Sequence, residues 1–177
     1  MFRGLDIDDS AATTPAAPIV KIEERAPLDG ELTVYLRSSA PDVARERQRA
    51  VLDLVDCLES AAVVDDVPVV RWPKRVRAPA NSDPAAAAAV ACYDEFVERV
   101  GVRALEPFFE ERPATGRVDR VIVFPVICIA VRDEGELTGL YPHWNDGVHH
   151  SIEDCLAALS AGEPVDNIGA HAATDPT

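Results

Sequence analysis

The chain has 177 residues, enough for one domain with a single core, and sets 31 acidic against 17 basic residues for a net charge of −14. With that surplus of carboxylates, contact with phosphates must come from a local cluster of bases and not from the overall field. No stretch is apolar for long enough to span a membrane, and Met1 to Ser10 is acidic and lacks the apolar segment of a secretion signal. A cytoplasmic protein without a membrane partner is expected.

Residues 1–30 are rich in Asp, Ala, Thr and Pro and read as a flexible leader, with an optional edge strand at Ile19 to Ile22. A single α/β domain over 31–162 is expected next. Glu31 to Arg37 alternates in strand-forming residues. Ser39-Ala40-Pro41-Asp42 then fits a capping box that opens a helix to about Ala61, with Val51, Leu54, Val55 and Leu58 as its buried stripe. Val67 to Trp72 is a second strand whose Pro68 belongs at its start or on an edge. A polar loop leads to Asp83, the expected N-cap of a helix from Ala85 to about Val100 that Gly101 closes.

Arg103 to Phe109 reads as extended around Pro107, and Glu110 to Val118 as a loop. RVIVFPVICIAVR, Arg120 to Arg132, is the most apolar segment and should be central in a sheet, its paired part beginning at Pro125. Asp133-Glu134-Gly135 makes a hairpin turn to a strand at Glu136 to Tyr141. A polar loop follows, then a capping box at Ser151 to Asp154 and a last helix to Ala161 with Gly162 as its stop. Residues 163–177 read as a flexible tail.

Cys57, Cys92, Cys128 and Cys155 stand one per element inside apolar runs, without the close Cys/His pair of a zinc site. They read as small buried thiols in a reduced cytoplasm, and no metal or other cofactor is expected.

Only Lys21 and Lys74 are lysines, and an acidic, Lys-poor, Ala/Val/Asp-rich chain resembles the cytoplasmic proteins of salt-loving archaea. The order β-α-β-α-β-β-α resembles thioredoxin-like proteins. Pro125-Val126-Ile127-Cys128-Ile129, the turn at Gly135, Leu137 to Leu140 and Ser151 to Leu159 are similar to the closing portion of glutaredoxins. That resemblance implies a cis Pro125 facing the first helix. Ser38-Ser39-Ala40-Pro41 stands where such an oxidoreductase would carry Cys-x-x-Cys, so a redox-inactive binding module is implied. A ferredoxin-like α/β sandwich, which also starts β-α-β, is the alternative. The phrases ELTVYLRS, ERQRAVLD, VVRWPKRV, LEPFFE, VIVFPVICIAV and SIEDCLAAL also resemble small acidic haloarchaeal proteins of unknown activity, some labelled helix-turn-helix. Between Ala61 and Pro84, however, the sequence predicts a strand and a loop, not the short turn of that motif.

Three constellations could carry function. Arg71, Lys74, Arg75 and Arg77 surround Trp72 in an acid-free window from Val67 to Ser82, a composition suited to phosphate contact with stacking. The same bases could instead pair with neighbouring carboxylates. Ser38 and Ser39 open a helix N-terminus that could hold a ligand beside Pro125 or simply cap the helix. His143 and Trp144, in a loop with His149 and His150, could meet a partner. No nucleophile–base order or glycine-rich phosphate loop is present. The composite expectation is a non-catalytic binding or regulatory module, self-associating or bound to a protein partner. A nucleic-acid-associated transcriptional regulator using Arg71 to Arg77 is the alternative, and a divergent enzyme using His143, His149 or Ser38 is a third reading.

Overall fold

The computed structural model describes residues 28–80, 83–114, 116 and 120–168. The suggested strand at Ile19 to Ile22 lies outside them. The elements are β1 (Glu31–Arg37), α1 (Asp42–Ser60), β2 (Val69–Trp72), β3 (Arg75–Ala78), α2 (Pro84–Val100), α3 (Val102–Leu105), β4 (Glu110–Pro113), β5 (Arg120–Val123), β6 (Ile127–Asp133), β7 (Glu136–Tyr141), β8 (His143–Asn145), β9 (Val148–His150) and α4 (Ile152–Ala161).

The main sheet has the order β2-β1-β6-β7. β2 runs parallel to β1, while β6 is antiparallel to β1 and to β7. Alternation along the strands divides the core in two. Leu32, Val34, Leu36, Ile127, Ile129 and Val131 face one side, where α1 supplies Val51, Val55 and Leu58 and α4 supplies Ile152, Cys155 and Leu159. Tyr35, Cys128, Ala130, Leu137 and Leu140 face the other, under Ala86, Ala89, Tyr93 and Phe96 of α2. The fold is therefore α/β, with the expected order present as β1-α1-β2-α2-β6-β7-α4. Its helices cover both faces, unlike those of the ferredoxin-like sandwich, which gather on one.

The apolar run from Arg120 divides at Pro125. Its first half is β5, centre of a separate sheet of order β3-β5-β4, and its second half is β6. Proline lacks the N–H that a continuous ladder needs, so the chain changes sheets there. Both strands paired with β5 fall where loops are expected. The small sheet turns Val76, Ala78 and Ile122 inward, against the aromatic core formed by Trp72, Tyr93, Phe109 and Phe124.

Asp83 caps α2, accepting from the N–H groups of Ala85 and Ala86 at 3.0 and 3.4 Å. In α4, Ser151 Oγ accepts from Asp154 N at 3.1 Å and the Asp154 carboxylate accepts from Ser151 N at 2.9 Å, a reciprocal capping box. The box expected at Ser39 does not form. Pro41 occupies the N-cap of α1 without a side-chain bond, and Asp42 instead pairs with Arg45. Arg103 to Leu105 is helical where an extended chain is expected, as the last three residues of α3.

The segment 163–168, expected as tail, is bonded to β7. Val165 is buried and accepts from the Tyr141 hydroxyl at 2.6 Å. Asn167 lies along the outer edge of β7. Its carboxamide accepts from Leu140 N and donates to Leu140 O, both at 2.9 Å, and the N–H groups of Asn167 and Ile168 reach Thr138 O. Gly139 permits this closeness, since a Cβ there would stand 2.8 Å from Val165 O. Near the start of the described chain, Leu28 N bonds Val63 O at 2.8 Å.

Candidate functional site

The basic cluster lies where the edge of the main sheet passes into the edge of the small one. Arg71 ends in β2, Lys74 sits in the two-residue link after it, and Arg75 and Arg77 alternate along β3 with buried Val76 and Ala78. All four bases are exposed. Cross-strand register puts Arg75 in line with Val123 and Glu110, and Arg77 in line with Val121 and Arg112. The outer face of the small sheet thus carries Arg75, Arg77 and Arg112 around half-buried valines. Its one acid in those rows, Glu110, is bonded by Arg112 at 2.6 Å, and that guanidinium holds its carboxyl below the usual range.

Among the described residues, none of the four bases forms an ion pair. Arg45, Arg47, Arg99, Arg112, Arg120 and Arg132 all do.

Trp72 is not on that surface. It is 1% exposed, stacks on Tyr35 at 4.8 Å, and donates its indole N–H to Pro125 O at 3.1 Å. Strand alternation forces this, because exposed Arg71 and Trp72 must face opposite ways. The residue expected as a stacking platform is a core anchor.

The structure does bring Ser38, Trp72 and Pro125 together. The Ser38 N–H and hydroxyl both donate to Trp72 O, at 2.9 and 3.2 Å, so Ser38 neither caps α1 nor faces a base. Ser39 is exposed, and its carbonyl accepts from Arg37 Nε at 2.9 Å. Gln48 donates to the carbonyls of Arg37 and Val126, tying α1 to the segment that follows Pro125. The cis bonds among the described residues precede Pro79, Pro107 and Pro142, so the bond before Pro125 is trans, against the resemblance.

A cleft of about 290 Å³ runs beside the same edge, between Val70, Arg71 and Trp72 and the helix residues Ala85, Ala88, Ala89 and Cys92. Tyr35 also lines it, and its hydroxyl accepts from Arg132 at 3.1 Å, which in turn pairs with Glu95 at 3.0 Å. Burial pushes the Cys92 and Cys128 thiols up, and that of Cys155 up to about 12. These three are protonated at neutral pH and are poor nucleophiles. The expectation of four buried thiols holds only for Cys128 and Cys155, since Cys57 is exposed and Cys92 half-buried.

His143 and Trp144 stand apart, by a smaller cleft of about 160 Å³ that shares no lining residue with the first. The expected loop is a β8–β9 hairpin turned by Asp146 and Gly147, both at positive φ. An Asp-Gly pair is a strong signal for such a turn and could have been read from the sequence. His143 is buried, its Nδ1 is 2.6 Å from Leu140 O, and its ring stacks on His150 at 4.9 Å. Burial pulls its pKa below the ordinary histidine value. Trp144 is 37% exposed beside His149, which stacks on Phe108. No group of three His, Cys, Asp or Glu among the described residues could hold a metal ion, and no helix there is long and apolar enough to cross a membrane.

A family profile described as a helix-turn-helix domain matches residues 25–164. The chain belongs to that family. Comparison with curated proteins and with solved structures returned no match. Within this helix-turn-helix family member, β2 and β3 separate α1 from α2, and Gly101 alone separates α2 from the single turn of α3. Among the described residues, then, no two consecutive helices are joined by the three- or four-residue turn that presents a recognition helix.

Proposed function

We propose that this chain is a non-catalytic, nucleic-acid-associated regulator that contacts phosphates through Arg71, Lys74, Arg75 and Arg77, on a sheet edge and not on a helix-turn-helix. The observation that carries the reading is four exposed bases, none ion-paired among the described residues, within seven positions of a chain with net charge −14. Membership of the helix-turn-helix family supports a DNA-associated role. Strands are an established means of entering a groove. The main-sheet order, with helices on both faces, supports a thioredoxin-like scaffold; Ser38 and Ser39 in place of thiols support a redox-inactive one.

The acid surplus suits a salt-rich cytoplasm. Roughly molar salt shortens the screening length to about 3 Å. The repulsion between DNA and the acidic body is then cut off, while charges in contact still act, at a cost in counterion release.

The test is fluorescence anisotropy of a labelled duplex across a salt series. Changing all four bases to Gln should flatten the slope of log affinity against log salt by about 0.9 for each phosphate contact removed. An unchanged slope would end the reading. A protein-binding module is the second reading, favoured by the apolar cleft beside β2. It predicts no duplex binding by either protein.

A further inference from the structure

The two edges of the main sheet are finished differently. Along β7, the outward groups of Thr138 and Leu140 are occupied by Asn167 and Ile168. Along β2, phase can be read from the bonds to β1. Val34 N binds Pro68 O and Ser38 N binds Trp72 O, four residues apart. Strand alternation turns Pro68, Val70 and Trp72 toward β1 and leaves the N–H and C=O of Val69 and Arg71 pointing outward. No strand among the described residues pairs with them. The edge is also apolar, with Val69 and Val70 44% and 41% exposed. The short edges of the small sheet carry Arg75, Arg77, Glu110, Glu111 and Arg112 instead, the usual charged protection against pairing.

We propose that β2 is a self-association edge, on which two copies of the chain pair antiparallel about a two-fold axis at Val70. Hydrogen-bond phase permits this register. Outward Val69 and Arg71 of one copy exchange main-chain bonds with Arg71 and Val69 of the other, and the two Val70 side chains meet across the axis. Antiparallel pairing brings the acids that precede the strand, Asp65 and Asp66, toward the end of the second copy from which Lys74 and Arg75 follow. All four are exposed. One strand thus carries acids before it and bases after it, which makes the edge complementary to itself. A register centred on Arg71 would instead place like charges opposite.

Sedimentation velocity without nucleic acid tests this independently of duplex binding. Wild type should sediment at twice the chain mass. Val70→Lys, at an exposed position, should sediment as a folded monomer with an unchanged circular dichroism spectrum. Reversing the acidic end alone, with Asp65→Lys and Asp66→Lys, should weaken the dimer, and reversing Lys74 and Arg75 to Asp as well should restore it. A wild-type monomer from micromolar to millimolar concentration, or a Val70→Lys dimer, would overturn the proposal. Failure of the second reversal to recover association would overturn the antiparallel orientation.

Discussion

His143 shows how one buried side chain makes stability depend on pH. Its ring sits between Leu140 O and His150, and burial, the largest cause, disfavours its charged form, with His150 and His149 acting in the same direction. Its folded pKa therefore lies below the unfolded value of 6.5. Between the two values the unfolded chain binds more protons, so stability is complete above 6.5 and falls as the pH drops toward the folded pKa. Urea denaturation over that interval should show this slope, and His143→Gln should lack the share due to this ring. Equal slopes in the two proteins would show that His143 does not supply it. Trp72 carries the complementary lesson. A tryptophan between arginines reads as a stacking surface, yet strand alternation already assigns it to the opposite side from Arg71.

Among elements, those whose ends are written locally are the legible ones. α2 keeps its Asp83 cap and its Gly101 stop, and α4 keeps its reciprocal box. Removing the latter with Ser151→Ala should cost about 0.5–2 kcal/mol, measured by chemical denaturation. A change within error would mean that packing of Ile152, Cys155 and Leu159 alone holds the helix. The small sheet is illegible for a different reason. β3, β4 and β5 are four residues each, and β3 finds its partner more than forty positions away. Nothing local distinguishes RVRA from a polar loop until Ile122 exists to pair with Val76. Pro125 was readable as the start of a paired strand, but not as the point where the chain leaves one sheet for another. Of the candidate site, the charge cluster was legible as composition. Its arrangement on one outer face depends on that remote pairing.

At the scale of the molecule, the segment 163–168 seals a sheet edge as a strand would. Asn167 gives Leu140 the acceptor and donor that a neighbouring strand would give. Asn167→Ala should leave the Leu140 N–H without a partner, while Leu140 O keeps His143 Nδ1, and destabilise the fold by about 1–3 kcal/mol. Hydrogen exchange at the Leu140 amide should accelerate with it. An unaltered exchange rate would show that this edge is protected by other means.

Asn167 also sets the valence of the main sheet. A sheet with two open edges can add a copy on each side and grow without limit, whereas one with a single open edge is finished after one union. With β7 closed by a side chain, β2 is the one open edge of that sheet among the described residues. The same carboxamide that stabilises Leu140 therefore separates a bounded pair from a filament.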